Sequence, residues 1–300
     1  MATPPSTSKQ FSPLSLLTPL LSLLLISGLL LWQRYSQHLN ELPSEIIVAQ
    51  NALKRNDADS ETAARRQFDK LLTQSPQNAP LFRTIMSVCT LEKRYALSLD
   101  YGERALQSCK YESNTNRAYL LMTMAETFTQ ANEAPPQPHA LAFARRAMEL
   151  DPYDPEVLGG YGYILADNAR TLQEVNQSVG YITKALQIYR ARNGEPASQL
   201  AAAEDSYGWA LYKRGKYNAG DYARAVDTLT QAVDDCPEEL PGDVRKVLYF
   251  HLGSACQAAG RIEAARHALQ VSLFYDSKYE AAQTALRALP PTVVTNPDGY

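Results

Sequence analysis

A short pattern built around glycine recurs three times in this sequence and limits the folds that the chain can adopt. In each copy a large residue precedes the glycine, and a second large or apolar residue follows the glycine three positions later. The copies are Tyr161-Gly162 with Leu165, Tyr207-Gly208 with Leu211, and Leu252-Gly253 with Cys256. Such a recurrence is typical of an array of structural repeats, in which a small residue lets one helix lie close to its neighbour.

A second pattern marks the ends of helices. An alanine stands five residues before a proline that cannot continue a helix. The pairs are Ala147 with Pro152, Ala232 with Pro237 and, as a variant, Leu71 with Pro76. With both patterns, the sequence resembles the tetratricopeptide repeat family over residues 45–289. The resemblance implies an all-α fold, a right-handed superhelical solenoid of about six helix-turn-helix units.

The predicted units differ in length and in how closely they follow the patterns. They cover residues 45–78, 79–112, 118–154, 155–192, 201–239 and 246–279. The helix ends at Pro76 and Lys110 are 34 residues apart, which is the family period. Inserts between the two helices of a unit are expected at 132–139, 169–178 and 216–221. The first two units depart from the pattern, because Ala52 and Met86 stand at the glycine position.

Packing between helices explains the recurring residue types. Small residues allow a close approach, and they are Gly162, Gly208 and Gly253 on first helices and Ala64, Ala105, Ala147, Ala185 and Ala232 on second helices. The large residues Phe68, Ile182 and Leu229 should fill the gaps between helices. One unit cannot bury its apolar face alone, so stacking should stabilise the array. An amphipathic closing helix is expected at 279–289, before a disordered tail at 290–300.

The amino-terminal segment has a different composition. Residues 1–12 are rich in Pro, Ser and Thr and are expected to be disordered, whereas the run from Pro13 to Trp32 carries no charge. About 20 apolar residues suffice for one bilayer span, and aromatic residues such as Trp32 and Tyr35 favour its interfaces. We therefore predict a transmembrane signal anchor at 13–33 and a juxtamembrane linker at 34–44.

Two other interpretations of this segment stay open. A cleaved signal peptide would have a shorter apolar stretch and a small-residue cleavage site, which the sequence after Trp32 lacks. A buried soluble helix would show a polar face. Positive charges on the two flanks nearly balance, so the orientation rests on the short tail being easier to retain in the cytoplasm. That argument favours export of the repeat domain to a periplasmic or other extracytoplasmic space.

Charge and cysteine usage narrow the class of protein further. The formal net charge of −3 offers no basic surface for a nucleic acid. The four cysteines, Cys89, Cys109, Cys236 and Cys256, lie far apart and form no CxxC, so we expect them to be unpaired. The 18 tyrosines should lie at helix edges or in a groove, because the phenol must reach water or a partner.

The sequence shows no motif for catalysis or for a cofactor. A phosphate-binding glycine loop, GxSxG and HExxH are all absent, and the histidines have no zinc spacing. Cys256 is expected to face the interior, with His251 and His267 pointing elsewhere. The acidic stretch 234–243 fits a solvated turn better than a calcium site, because prolines interrupt it. We predict no enzymatic activity, no cofactor, no metal and no small-molecule substrate.

The resemblance also implies a binding surface, because the first helices of tetratricopeptide arrays line a concave face that takes peptides or helices. The corresponding positions are Arg83, Tyr119, Met122, Glu126, Tyr163, Asp167, Asp205, Trp209, Tyr212, Lys213, Phe250 and Gln257. Aromatic and Arg side chains are the types that dominate binding energies. Alternatively, Trp209 is a core ring. Arrays that clamp chaperone tails place Lys and Asn where this chain has Ala49 and Leu53, which disfavours that function.

Two functions follow from these expectations. The first is a membrane-anchored scaffold or adaptor, monomeric in its array, that binds a protein or peptide partner through an aromatic groove in a membrane-associated assembly. The second is a permanent structural subunit of a larger membrane complex, which would use the convex surface and the insert loops. Neither the partner nor the pathway follows from the sequence.

Overall fold

The computed structural model describes residues 44–55, 57–110, 112–131, 137–192, 197–237 and 242–291. Within these ranges the chain forms thirteen α-helices and no strand, which confirms the all-α prediction. The helices are α1 Ser44–Leu53, α2 Ala58–Gln74, α3 Ala79–Leu91, α4 Tyr95–Ser108, α5 Asn114–Gln130, α6 Pro138–Leu150, α7 Pro155–Asn168, α8 Leu172–Ala191, α9 Ala197–Arg214, α10 Gly220–Asp234, α11 Gly242–Ala258, α12 Ile262–Tyr275 and α13 Glu280–Arg287.

The chain divides into two compact units, residues 1–71 and 72–300. In the first unit, α1 buries Ile46, Ala49 and Leu53, and α2 buries Ala64 and Phe68. In the second unit, odd-numbered helices from α3 to α11 each pack against the even-numbered helix that follows. These odd-numbered helices also pack on one another in sequence, and α13 closes against α11 and α12.

The glycine pattern has the predicted steric basis. A Cβ atom added to Gly162 would lie 2.5 Å from Ile182 Cγ1, and one added to Gly208 would lie 2.5 Å from Leu229 Cγ. At Gly253 the corresponding distance is 2.7 Å to Leu269 Cγ. All three distances are far shorter than a normal carbon contact of roughly 3.5–4.0 Å. The alanines predicted at close helix contacts, Ala64, Ala105, Ala147, Ala185 and Ala232, are 0 % exposed.

Local capping sets where several helices begin. Asp154 accepts hydrogen bonds from the backbone N–H groups of Glu156 (2.9 Å) and Val157 (3.1 Å), which leads into α7. Thr171 and Glu174 form a reciprocal capping box at the start of α8. The insert predicted at 169–178 is therefore wrong in most of its length, because α8 already begins at Leu172.

The first helices of three units start four residues before the predicted unit boundaries. Helices α5, α9 and α11 begin at Asn114, Ala197 and Gly242 rather than at 118, 201 and 246. Packing patterns mark only the part of a helix that contacts its neighbour. The extra turn of α5 instead depends on its cap, Ser113, whose hydroxyl accepts from the Asn116 N–H at 3.1 Å.

The predicted membrane segment lies outside the described residues. The same holds for the tail 1–12, nearly all of the linker 34–44 and most of the tail 290–300. Among the helices that the structure does describe, none is long and apolar enough to cross a bilayer.

Candidate functional site

All twelve residues predicted for partner binding lie on the odd-numbered helices α3, α5, α7, α9 and α11 of the second unit. Contacts between these helices bring most of the twelve side chains onto one continuous surface, which we call the first-helix face. The surface has an aromatic centre on α9, an ion-pair cluster toward α3 and a tyrosine-rich end near α13.

Trp209 forms the aromatic centre of the first-helix face. Its ring stacks on the ring of Tyr212, with centroids 4.7 Å apart, and its Nε1–H donates to Asp167 Oδ1 at 2.8 Å. Lys213 Nζ also binds Asp167 Oδ1 at 2.8 Å and lies 4.7 Å from the centroid of the Trp209 ring. The carboxylate of Asp167 on α7 thus holds two side chains of α9, Trp209 and Lys213. Trp209 itself is only 7 % exposed.

A buried histidine completes this cluster from α11. His251 is 2 % exposed, stacks on Trp209 with centroids 4.1 Å apart, and places Nδ1 2.9 Å from Asp205 Oδ1. The expectation that His251 points away from the interior is therefore wrong. A carboxylate that orients a histidine is one part of a catalytic triad, but this ring is packed against Trp209 and closed to a substrate. The pair fits a structural role, joining α9 to α11.

An ion-pair cluster lies at the amino-terminal end of the face. Arg83 on α3 pairs with Glu156 on α7, and its guanidinium carbon lies 4.7 Å from the centroid of the Tyr119 ring. The Tyr119 hydroxyl donates to Asp154 Oδ2 at 2.9 Å. Burial, followed by this hydrogen bond to Asp154, raises the pKa of Tyr119, so the phenol stays neutral. Side chains from α3, α5 and α7 are therefore held together here.

Glu126 differs from every other carboxylate on the face. It is exposed to solvent, and within the described residues no hydrogen-bond donor reaches it. Even so, desolvation by the surrounding protein raises the pKa of Glu126, and only Arg83 opposes that shift. Glu126 thus combines access to solvent with a protein environment that disfavours its charge.

The carboxyl-terminal end of the face contains residues that the sequence did not suggest. Tyr279, just before α13, packs edge-on against Phe250 with ring centroids 5.4 Å apart. Lys246 lies 5.5 Å from the Tyr279 centroid and binds Asp276 Oδ2 at 3.0 Å. Burial raises the pKa of Tyr279 to about 12. Tyr279 was expected only to begin the closing helix.

Exposure divides the twelve predicted residues into two groups. Met122, Asp205 and Trp209 are 2 %, 7 % and 7 % exposed, so they support the surface from beneath. Glu126 is exposed, and the remaining eight are half-buried: Arg83, Tyr119, Tyr163, Asp167, Tyr212, Lys213, Phe250 and Gln257. Partner contact by these nine residues stays a prediction.

The residues that sequence analysis missed are His251, Tyr279, Lys246 and Glu156. His251 meets Trp209 across 42 positions of sequence, and Arg83 meets Glu156 across 73. The repeat pattern sets which residues face the neighbouring helix, but not which charged groups meet across successive units. No signal within one repeat would have found these pairs.

The described part of the chain holds no group of three metal-ligating side chains. The four cysteines are unpaired, as expected, and burial raises the pKa of the Cys109 thiol to about 11. A thiol with so high a pKa is a weak nucleophile at neutral pH.

Comparison with known proteins supports the fold class described above. No family model and no curated protein matches the chain. Among solved structures, the chain is similar to the APC/C hetero-tetramer Cut9–Hcn1, with a TM-score of 0.55 and 16 % identity over 75 % of this chain and 39 % of that one. It is also similar to yeast Tom70, with a TM-score of 0.51 and 15 % identity over 79 % of this chain and 44 % of that one.

This chain spans less than half the length of either matched chain. At these identities the similarity concerns the fold alone, a helical-repeat fold of the tetratricopeptide type.

Proposed function

We propose that this protein is a membrane-anchored scaffold that binds a protein or peptide partner through the first-helix face. The observation that carries the proposal is the environment of Glu126, a solvent-accessible carboxylate without a hydrogen-bond donor among the described residues, on a face of half-buried side chains from successive helices. A few polar groups among aromatic side chains are typical of ligand-binding surfaces. The similarity in fold to scaffold proteins supports the same conclusion.

The chemistry of the face suits a protein partner. Tyr119, Tyr163, Tyr212 and Phe250 are half-buried, so each presents part of its ring to the solvent at low cost in side-chain entropy. Tyr, Trp and Arg are the residues most often found at interface hot spots. We therefore assign binding to the nine accessible residues and a supporting role to Met122, Asp205 and Trp209.

The anchor is the second part of the proposal. The charge-free run from Pro13 to Trp32 is long enough for one span, and we propose that the repeat array is exported and monomeric by itself. The full-length protein should stay in the membrane pellet after carbonate washing. A soluble form that begins near residues 35–45 would instead show cleavage of a signal peptide.

A structural subunit is the alternative function, and two exposed rings favour it. Phe274 on α12 is 81 % exposed and Tyr153, before α7, is 82 % exposed, although both are large apolar side chains. Phe274 lies on a second helix and not on the first-helix face, and exposed rings of this kind would suit permanent packing within a larger complex.

One experiment separates the two functions. The full-length protein is purified in mild detergent, and the proteins that copurify are identified by mass spectrometry. For the scaffold, Glu126→Arg should release the partner while Phe274→Ser retains it. The opposite pattern would favour the structural subunit. Both positions are exposed, so circular dichroism should show that neither change unfolds the array.

A further inference from the structure

The first-helix face carries more negative than positive charge. Its carboxylates are Glu126, Asp154, Glu156, Asp167, Asp205 and Asp276, whereas Arg83, Lys213 and Lys246 are its permanently charged cations. Five of these carboxylates already have partners: Asp154 accepts from Tyr119, Glu156 binds Arg83, Asp167 binds Lys213 and Trp209, Asp205 binds His251, and Asp276 binds Lys246. Glu126 is the carboxylate of this face that has neither a hydrogen-bond donor nor an ion-pair partner among the described residues.

Arg83 does not neutralise Glu126. The guanidinium is committed to Glu156 and to the face of the Tyr119 ring, so it acts on Glu126 only through its field. Desolvation remains the larger influence and raises the pKa of Glu126. The protein therefore disfavours the charged form of Glu126. An incoming cation should stabilise such a carboxylate more than it would stabilise a fully hydrated one.

The excess of negative charge extends beyond Glu126. Tyr163 on α7 is half-buried and lies 6.0 Å from the His251 ring. Burial raises the pKa of Tyr163, and the carboxylates of Asp167, Asp205 and Glu126 raise it further. These carboxylates come from α5, α7 and α9, so negative charge surrounds the middle of the face. Aromatic rings in such a place attract cations as well.

We propose that the segment bound on the first-helix face is basic, and that one of its Lys or Arg side chains pairs with Glu126. The inference rests on the proposed scaffold function and narrows the class of partner by charge complementarity. The partner's cation would supply the donor that the described residues do not offer to Glu126. Electrostatic complementarity of this kind sets specificity and the association rate.

The test is a selection of random peptides on phage against the full-length protein in detergent micelles. Glu126→Gln removes the charge at nearly constant shape, and Glu126→Arg reverses the charge. Glu149→Gln on α6 is the matched control, because Glu149 is also exposed but lies on a second helix. Peptides selected by the wild type should be enriched in Lys and Arg, and one of them should bind Glu126→Gln about tenfold more weakly or worse. The control should bind it as the wild type does.

Different failures have different meanings. If Glu126→Arg alters the selection but wild-type peptides show no excess of Lys or Arg, the basic partner is refuted and the binding face survives. If the wild type selects nothing, or if Glu126→Arg selects the same peptides as the wild type, the proposed function fails too. Binding of spermidine at Glu126 without any peptide would assign this carboxylate to a small polyamine and overturn the proposal. A preference of Glu126→Arg for acidic peptides would support it.

Discussion

The contact between Gly208 and Leu229 allows the repeat packing to be tested with one added methyl group. In Gly208→Ala the new Cβ would lie 2.5 Å from Leu229 Cγ, about 1 Å inside a normal carbon contact. Leu229 is 0 % exposed and sits in a cluster with Leu211, Ala225 and Leu269, so it has no free space to move into. We expect the overlap to cost about 1–3 kcal/mol.

Gly180→Ala is the matched control. Gly180 lies within α8, and a Cβ added there meets nothing within 4 Å. Replacing a helix-interior glycine by alanine should stabilise the protein by roughly 0.5–1 kcal/mol at either site. Since this gain is common to both variants, the difference between them isolates the overlap with Leu229.

Thermal unfolding followed by circular dichroism measures this difference. A shift of roughly 2–4 °C per kcal/mol is expected for a chain of this size, with Gly208→Ala melting below Gly180→Ala. Adding Leu229→Ala to Gly208→Ala should remove the overlap, so the double variant should lose less stability than the two single losses combined, by about 0.5–3 kcal/mol. Equal melting temperatures for the two alanine variants would refute the close approach of α9 and α10 at this point.

Three further predictions concern single side chains. Trp209→Ala should destabilise the array by about 3–5 kcal/mol in chemical denaturation, because the ring is 7 % exposed; a wild-type midpoint would show that Trp209 is not a core ring. Thr171→Ala removes the capping box of α8 and should cost about 0.5–2 kcal/mol, whereas Thr183→Ala on the same helix, which removes no cap, serves as its control. Asp221 is 0 % exposed and accepts a hydrogen bond from Arg214 Nε at 2.7 Å, which is the main cause that lowers the pKa of Asp221. Asp221→Asn should therefore cost about 1.5–3 kcal/mol of unfolding free energy near pH 7. A depressed pKa stabilises the fold above the unfolded pKa, and this stabilisation is lost as the pH falls through the folded pKa. The difference in unfolding free energy between wild type and Asp221→Asn should therefore begin to narrow below about pH 4 and narrow further as the pH falls; a difference that stays constant across this range would contradict the ion pair.

The repeat architecture could be predicted from residue size alone. Gly162, Gly208 and Gly253 mark the places where a Cβ cannot fit, and buried alanines such as Ala147 mark the second helices. This requirement is local, because each of the three glycines faces the other helix of its own pair. The all-α class and the helix pairs therefore followed from the sequence, whereas the early starts of α5, α9 and α11 did not, since caps and solvent-facing turns have no packing signature.

The candidate site needed the tertiary structure. The sequence placed Trp209, Glu126 and Tyr163 on first helices, but it did not distinguish a ring that binds a partner from one that packs on His251. It also could not show that Asp167 and Asp205 receive donors while Glu126 receives none. Burial and ion pairing depend on the rotation between successive repeat units. This rotation brings together side chains that are 42 and 73 residues apart in the sequence. Both separations are longer than one repeat of about 34 residues, so the repeat pattern does not specify which residues meet.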